Sequence, residues 1–495
     1  MKILLINPSS ELNIEAKKYS RFVSPLPPSG IAYIAAVLEA NGFEVFIEDQ
    51  FASKISNKQL IDKIKYLSPQ IIGFSCLTTA MSNVSLLIKE IRELDKEIRI
   101  VLGNIHATLF TKEVLEQGLA DIVVRREGEF STLEAVSALS NKTALESVKG
   151  ISFKKNGNII HNPDRELIED LSVLPYPAWH LFDLKLYTNF PVIGVYNEII
   201  LPIQASRGCP YRCYFCSQDK IYPVSRYRKI KEVVDEIEFL CGKFNVKHFG
   251  FNDAYFPFSI DHGMEFCDEI IRRKLHKKIR WITETRVDKV NFELLKRMKE
   301  AGLRLLLYGF ESGNQKILDG INKTTTIEQA RQAAKMTKEA GIFISGLFIL
   351  GLPGETHQTC LDTIRFAKEL DPEIAKFNIA VPFPGSRFFD DYKNRISGSV
   401  EFRKFSSWYD FYSSKGNLIY CPDSIDSEEL RDLQRKAMFE FYLRPVKIWR
   451  HLINPIFPLR DLFYGFYVLV DNYSRFLFNK LSSAFRRCSF KKTEQ

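Results

Sequence analysis

The chain has 495 residues, 45% hydrophobic and 26% charged, with a formal net charge of +9. That balance excludes a disordered or collagen-like protein, and the length predicts about three domains at roughly 150 residues each. Nine cysteines, at 76, 209, 213, 216, 241, 267, 360, 421 and 488, are odd in number and mostly scattered, which excludes a disulfide framework and predicts a reducing compartment.

Residues 1–145 alternate strand and helix. The opening MKILLINPSSEL reads as a strand (2–8) followed by polar residues, without the long apolar core of a signal peptide. GIAYIAAVLEANG (30–42) has helical periodicity and stops at Asn41-Gly42. FEVFIED (43–49), QIIGFSC (70–76), IRIVLGN (98–104) and DIVVRREGE (121–129) read as further strands, and SNVSLLIKEIREL (82–94) as an amphipathic helix with Ser82 as N-cap. The pattern predicts a Rossmann-like, doubly wound parallel sheet. It holds no G-x-G-x-x-G and no P-loop, so a dinucleotide or ATP site gets little support.

Residues 146–195 read as a linker, with a small hairpin at 150–162 around Asn156-Gly157 and prolines in LPYPAW (174–179). From 196 to 400 a second alternation begins. Its strands are predicted at 199–206, 248–253, 279–286, 303–312, 343–351 and 375–383, with helices at 230–242, 261–275, 291–301, 326–340 and 356–370. Six such units predict a partial (β/α)6 barrel of TIM type, with active-site groups at the C-terminal strand ends. Residues 401–495 form a helical C-terminal extension, its helix at 424–445 opening on Ser427 as N-cap. No window reaches ~18 uncharged apolar residues, so no transmembrane helix is predicted.

From Arg444 onward ten basic residues face three acidic ones, among many aromatics. Two readings of 444–490 stand. One is a helical cap packed on the barrel with a solvated basic face. The other is an amphipathic segment lying on anionic membrane near a greasy substrate. Nucleic acid is disfavoured, because no binding module is visible.

The most informative stretch is SRGCPYRCYFC (206–216), which sets Cys209, Cys213 and Cys216 at C-x3-C-x2-C spacing. Thiolates this close imply one metal centre. A zinc site would want a fourth ligand, and the nearest residues are His180 upstream and Cys241 downstream, so zinc needs a distant partner. An iron–sulfur cluster also takes thiolates, and three cysteines leave one iron open. Three structural cysteines without metal are the bland alternative.

This loop resembles the cluster loop of radical S-adenosylmethionine (radical SAM) enzymes. The resemblance implies that the three cysteines hold a [4Fe-4S] cluster, that SAM chelates the fourth iron, and that its cleavage gives a 5′-deoxyadenosyl radical. It sets Phe215 beside the adenine. FNDAYF (251–256) is similar to the second-strand motif and supplies Asp253, although the Gly-Gly-Glu of many members is absent. ETRVD (284–288) supplies Arg286, and YGFESG (308–313) supplies Glu311 and Ser312. GLFILGLPGET (346–356) supplies Gly351, and VPFPGS (381–386) resembles the end of the sixth strand. An external reductant such as flavodoxin or ferredoxin is implied.

Ahead of such a barrel, PLPPSGIAYIAA (25–36), IIGFSCLTT (71–79), GNIHAT (103–108) and REGEFSTLE (126–134) look like the cobalamin-binding domain of the cobalamin-dependent class. The implied cobalamin contacts are Ser75, Thr78, Gly103, His106, Glu127 and Gly128. The family's Gly-Gly-Pro-His is Gly103-Asn104-Ile105-His106 here, and its Gly-Glu-Gly-Glu begins with Arg126. No D-x-H-x-x-G is present, so no histidine ligand to cobalt is expected, and His106 is read as a hydrogen-bonded turn residue. The implied activity is methyl transfer from methylcobalamin to an unactivated carbon or phosphorus of a small, hydrophobic molecule. Two alternatives stay open: an oxidative cyclase of a magnesium-porphyrin ester or a rearrangement enzyme, without methyl transfer, and a non-catalytic metal-binding protein. A cytoplasmic location is expected, peripheral to the inner membrane face if the tail lies on lipid.

Overall fold

In the computed structural model, which describes residues 1–10, 25–190, 195–395 and 418–453, seven strands build the first sheet. They are β1 (Lys2–Asn7), β2 (Glu44–Asp49), β3 (Ile71–Ser75), β4 (Arg99–Gly103), β5 (Ile122–Val124), β6 (Ile151–Lys155) and β7 (Asn158–His161), in the order β2-β1-β3-β4-β5-β6-β7. The first five are parallel. Their apolar runs are buried on both faces. Ile3, Leu5, Ile71 and Val101 join one core with the helices Ser29–Ala40 and Glu129–Asn141. Leu4, Ile6, Ile72 and Leu102 join another with the helices Asn57–Leu67 and Met81–Leu94. Each fully buried Leu or Ile contributes roughly 1.5–3 kcal/mol, so both faces bind the sheet to its two helix layers. The strand order turns at β1 and β3, which opens a crevice beyond their C-terminal ends.

Two local expectations change. The hairpin assigned to the linker instead extends the first sheet, with β6 antiparallel to β5. Its turn is the predicted one: Asn156 and Gly157 both have positive φ, 51° and 80°. Ser82 is not an N-cap. A 3-10 turn at Thr78–Ala80 runs straight into the helix, where Met81 N–H already bonds Thr78 O.

The second sheet has six parallel strands in chain order: β8 (Ile200–Ile203), β9 (His248–Phe251), β10 (Arg280–Thr285), β11 (Leu303–Glu311), β12 (Phe343–Leu350) and β13 (Ile374–Ile379). Its outer face carries Trp281, Leu306, Tyr308, Ile344, Phe348 and Phe377, packed against the connecting helices. Its inner face carries a separate cluster, with Ile200, Ile282, Leu305, Leu307 and Phe343. The helix Ser427–Tyr442 covers the β13 edge, where Tyr442 Oη accepts from Ala375 N and donates to Ala375 O. Its N-cap is Asp426, which accepts from Glu429 N. The expected cap, Ser427, instead accepts from Leu418 N.

The chain then enters the helix Pro445–Ile453. Three cations at the start of the basic tail converge on one carboxylate: Arg444 (2.5 Å), Lys447 (3.3 Å) and Arg450 all meet Asp371. Val446, Ile448 and Trp449 stay exposed. The rest of the tail assigned to cap or membrane, from 454, lies outside the described residues. No described helix is long and apolar enough to cross a membrane.

Candidate functional site

The cysteine loop leaves a two-residue antiparallel ladder, Ser206–Arg207 on Arg226–Tyr227. Gly208 follows at φ 95°, and a Cβ there would lie 2.2 Å from Val224 O, so only glycine fits. Cys209 and Cys213 are half-buried and Cys216 is exposed. Burial pushes the Cys209 and Cys213 thiols up. Thiols held up in this way ionise readily only beside strong positive charge, which a bound metal would supply. Among the described residues no three His, Cys, Asp or Glu side chains close on one point as ligands of a single ion would. Three thiols at this spacing fit a cluster that leaves one iron to a small molecule.

Around this loop the strand ends carry a connected charge network. Arg286 lies over Tyr211, its guanidinium carbon 3.5 Å from the ring centroid. It also donates to Asp288 (2.9 Å), Lys323 O (3.0 Å) and Thr324 Oγ1 (3.1 Å). Glu311 and Lys323 form a buried ion pair at 2.7 Å. Glu311 sits in the left-handed region at φ 61°, a strain of about 1–2 kcal/mol held at a strand end. Gly309 makes room for the pair, since a Cβ there would fall 2.4 Å from Glu311 Oε1 and 2.8 Å from Lys323 Nζ.

The other SAM candidates divide. Phe215 packs on the cluster formed by Leu352, Ala380, Phe388 and the helix Gln315–Gly320, and so lies at the mouth. Gly351 turns at φ 83°, with its N–H and that of Leu352 held by the buried carboxylate of Glu355. Asp253 accepts from Ala205 N (3.1 Å) and Ser206 Oγ (2.6 Å), and burial pushes its carboxyl up to about 7. Its carboxylate thus holds the chain entering the cysteine loop. Ser312 is fully buried and bonds Thr363 Oγ1 at 3.2 Å, toward the helix His357–Leu370 rather than the mouth.

The corrinoid candidates lie at the C-terminal ends of β3, β4 and β5. Asn104 donates to Ser75 Oγ at 2.9 Å, and Arg126 N donates to Thr108 Oγ1 at 3.0 Å. Asn104 and Arg126 are also left-handed, at φ 76° and 58°. These are two of the places where this chain departs from the family's glycines, so the backbone keeps the glycine conformation without the glycine. Gly103, by contrast, is extended at φ −135°. His106 is buried, its ring 4.9 Å from Phe110 and its Nδ1 3.2 Å from Thr78 Oγ1. Burial pushes it down to about 4, so it is neutral. It is hydrogen-bonded as expected, but it lies in the helix Asn104–Leu109 rather than in a turn.

Glu127 departs from its expected place. Its carboxylate accepts from Arg207 (2.9 Å), Arg226 (2.8 Å) and Ile168 N (2.9 Å), which commits both oxygens. Arg207 also reaches Glu129 at 2.6 Å. All four side chains are at most 8% exposed. Gly128 lies between the two glutamates and faces Ile34, whose Cδ1 would be 3.1 Å from a Cβ. These groups latch the first sheet to the root of the cysteine loop. A second contact joins the two strand-end surfaces: Phe110 packs edge-on against Phe389 at 6.3 Å, and Gly385 lies under Leu109. The ends of the first sheet therefore face the mouth of the second.

Comparison with known proteins gives matches on both halves. The model for the radical SAM superfamily matches residues 203–367, and that for the B12 binding domain matches 20–137. An uncharacterized methyltransferase of Pyrococcus horikoshii is 32% identical, over 92% of this chain and 95% of its own length. An anaerobic magnesium-protoporphyrin IX monomethyl ester cyclase of Rubrivivax gelatinosus is also 32% identical, over 84% of this chain and 74% of its own. Among solved structures, the radical SAM methyltransferase TsrM from Kitasatospora setae, with cobalamin and a [4Fe-4S] cluster bound, superposes with a TM-score of 0.65 at 20% identity. The match covers 80% of this chain and 75% of that one.

Proposed function

Because this chain belongs to the radical SAM superfamily, in the branch with a B12-binding domain ahead of the barrel, we propose that it transfers a methyl group from SAM to an unactivated carbon or phosphorus. It is an enzyme with a small-molecule substrate, and its cofactors are a [4Fe-4S] cluster, SAM and cobalamin. When bound, the cluster supplies the electron that breaks SAM into methionine and a radical, and the corrinoid carries the methyl group.

The observation that carries the reading is the facing of the two strand-end surfaces, locked by Arg207 on Glu127 and Glu129 and by Phe110 on Phe389. Each set of residues has a task in it. Cys209, Cys213 and Cys216 hold the cluster. Arg286, stacked on Tyr211, and the Glu311–Lys323 pair set the charge beside it. Phe215 and the Gly351 turn take the adenosine end. Ser75, Thr78 and the Asn104 turn line the corrinoid shelf. A space shared by the two surfaces would hold a reacting substrate close to its methyl donor and away from solvent. Electrons come from an external reductant such as flavodoxin or ferredoxin. The salt links of Arg444, Lys447 and Arg450 to Asp371 support a packed cap, rather than a membrane-lying segment, for the first turns of the tail.

A second reading, oxidative cyclisation without methyl transfer, is favoured by the cyclase relative at 32% identity. SAM labelled in its methyl group separates the two. Label in the product is the expected result, and turnover with unlabelled product would replace the first reading by the second.

A further inference from the structure

The inner face of the second sheet holds two charged side chains that the roles above leave unused. On β10, Glu284 lies between Thr283 and Thr285, both buried, and on β13, Lys376 lies between Ala375 and Phe377, also buried. Side chains alternate along a strand, so Glu284 and Lys376 point inward. Both are exposed to the space that the sheet encloses. In register, Glu284 pairs with Leu307, and Lys376 pairs with Leu347, which pairs in turn with Gly309. Ile282, Leu305 and Phe343 form an apolar floor beneath this row. The Glu311–Lys323 pair lies over Gly309, toward the cysteine loop.

On a flat sheet, strands three apart would separate Glu284 and Lys376 by ~14 Å. The curvature brings them within reach of each other's charge, which is felt at both groups. Among the described residues, Glu284 feels only burial and the charges of Glu311, Lys323 and Lys376, and Lys376 only burial and Glu284. No hydrogen bond acts on the charge of either. Burial, then Glu311, pushes the carboxyl up to about 6, while burial pushes the ammonium down. An inward-facing carboxylate and ammonium above an apolar floor present complementary groups to a ligand that enters the enclosed space.

We propose that this space selects a mostly apolar substrate by one anionic group, held at Lys376, and one hydrogen-bond donor, held at Glu284. The proposal rests on the enzymatic reading above and deepens it to a substrate class: an amphiphile with a carboxylate or phosphate and a hydroxyl or amine. Leu307 and Leu347 flank its body, and the strand-end charges lie between it and the cluster.

The test is equilibrium binding to the full chain, reconstituted with cluster and cobalamin and read without turnover. The probes are dansylaminoundecanoic acid, its methyl ester and the corresponding long-chain amine. A hydrogen bond to a charged group is worth roughly 1.5–3 kcal/mol, so the acid is expected to bind at least about tenfold more tightly than the ester. Lys376→Met is expected to erase that preference, and Lys376→Glu to turn it toward the amine. Glu284→Gln is expected to weaken the amine while leaving the acid-over-ester ratio in place. Neither side chain has a direct partner among the described residues, so iron and cobalt contents are expected to match the parent protein. Equal binding of acid and ester, or a preference that survives Lys376→Met, would overturn the proposal. Because no methyl transfer enters the readout, loss of this preference and loss of label transfer are separate failures.

Discussion

Replacing Cys213 with alanine is expected to take reconstituted protein from about four iron atoms per chain to well under one. Cleavage of SAM, followed as 5′-deoxyadenosine, is expected to vanish with the iron. The loop supplies three thiols, and a cluster that already leaves one iron to a small molecule has no protein ligand to spare. The fold is expected to survive. Cys213 is half-buried, and the loop is pinned on its far side by Tyr214, whose N–H bonds Ile321 O and whose ring stacks on Phe388 at 5.5 Å. Iron assay and thermal unfolding on the same sample separate the two effects. Iron retained at the parent level would show that the thiols are not the cluster ligands.

Glu127→Ala is expected to be strongly destabilising while leaving the apolar core untouched. It strands Arg207 and Arg226, both nearly fully buried, with one carboxylate fewer between them. Removing one partner of a buried ion pair costs about 3–5 kcal/mol, because the remaining charge cannot reach water. Arg207 keeps Glu129, so Arg226 is the group left worst off. Glu127→Gln keeps the shape and some hydrogen bonds and is expected to cost less. Since Arg207 stands at the entry to the cysteine loop, iron retention is expected to fall along with stability.

The same latch sets a pH dependence. Burial alone would raise the Glu127 carboxyl, but Arg226 and Arg207 outweigh it and hold it below the usual range. A folded value below the unfolded one means stability present above the unfolded pKa and lost as pH falls through the folded one. The parent protein is therefore expected to lose stability on acidification more steeply than Glu127→Gln, as read from denaturant midpoints. Equal slopes would show that the pair adds nothing.

Both sheets were legible in the sequence wherever a strand is apolar on both faces, as in KILLIN and IIGFS, or where a turn is chemically forced, as at Asn156-Gly157. The three cysteines stood out because a shared metal would fix their spacing. What stayed hidden was the aim of side chains inside a matching stretch. Glu127 stands where the resemblance places a corrinoid contact, yet its carboxylate meets arginines from a segment about a hundred residues away. Ser312 and Asp253 fall at strand ends as expected, but one turns outward and the other reaches back to the chain before the cysteines. Lys323, in a loop with no motif of its own, could be found only once Glu311 was placed. Glu284 and Lys376 needed strand parity and sheet curvature together, and a linear reading carries neither. The caps at Ser82 and Ser427 missed because a preceding turn, and Asp426, already met the first helical N–H groups.

The most direct test of a cluster and a corrinoid on one chain is metal content. The full chain would be reconstituted anaerobically with iron, sulfide and hydroxocobalamin, desalted, and assayed for iron, cobalt and zinc. The expected result is about four iron atoms and about one cobalt per chain, with an iron–sulfur absorbance that changes when SAM is added. Stoichiometric zinc without iron, or iron without cobalt, would contradict it.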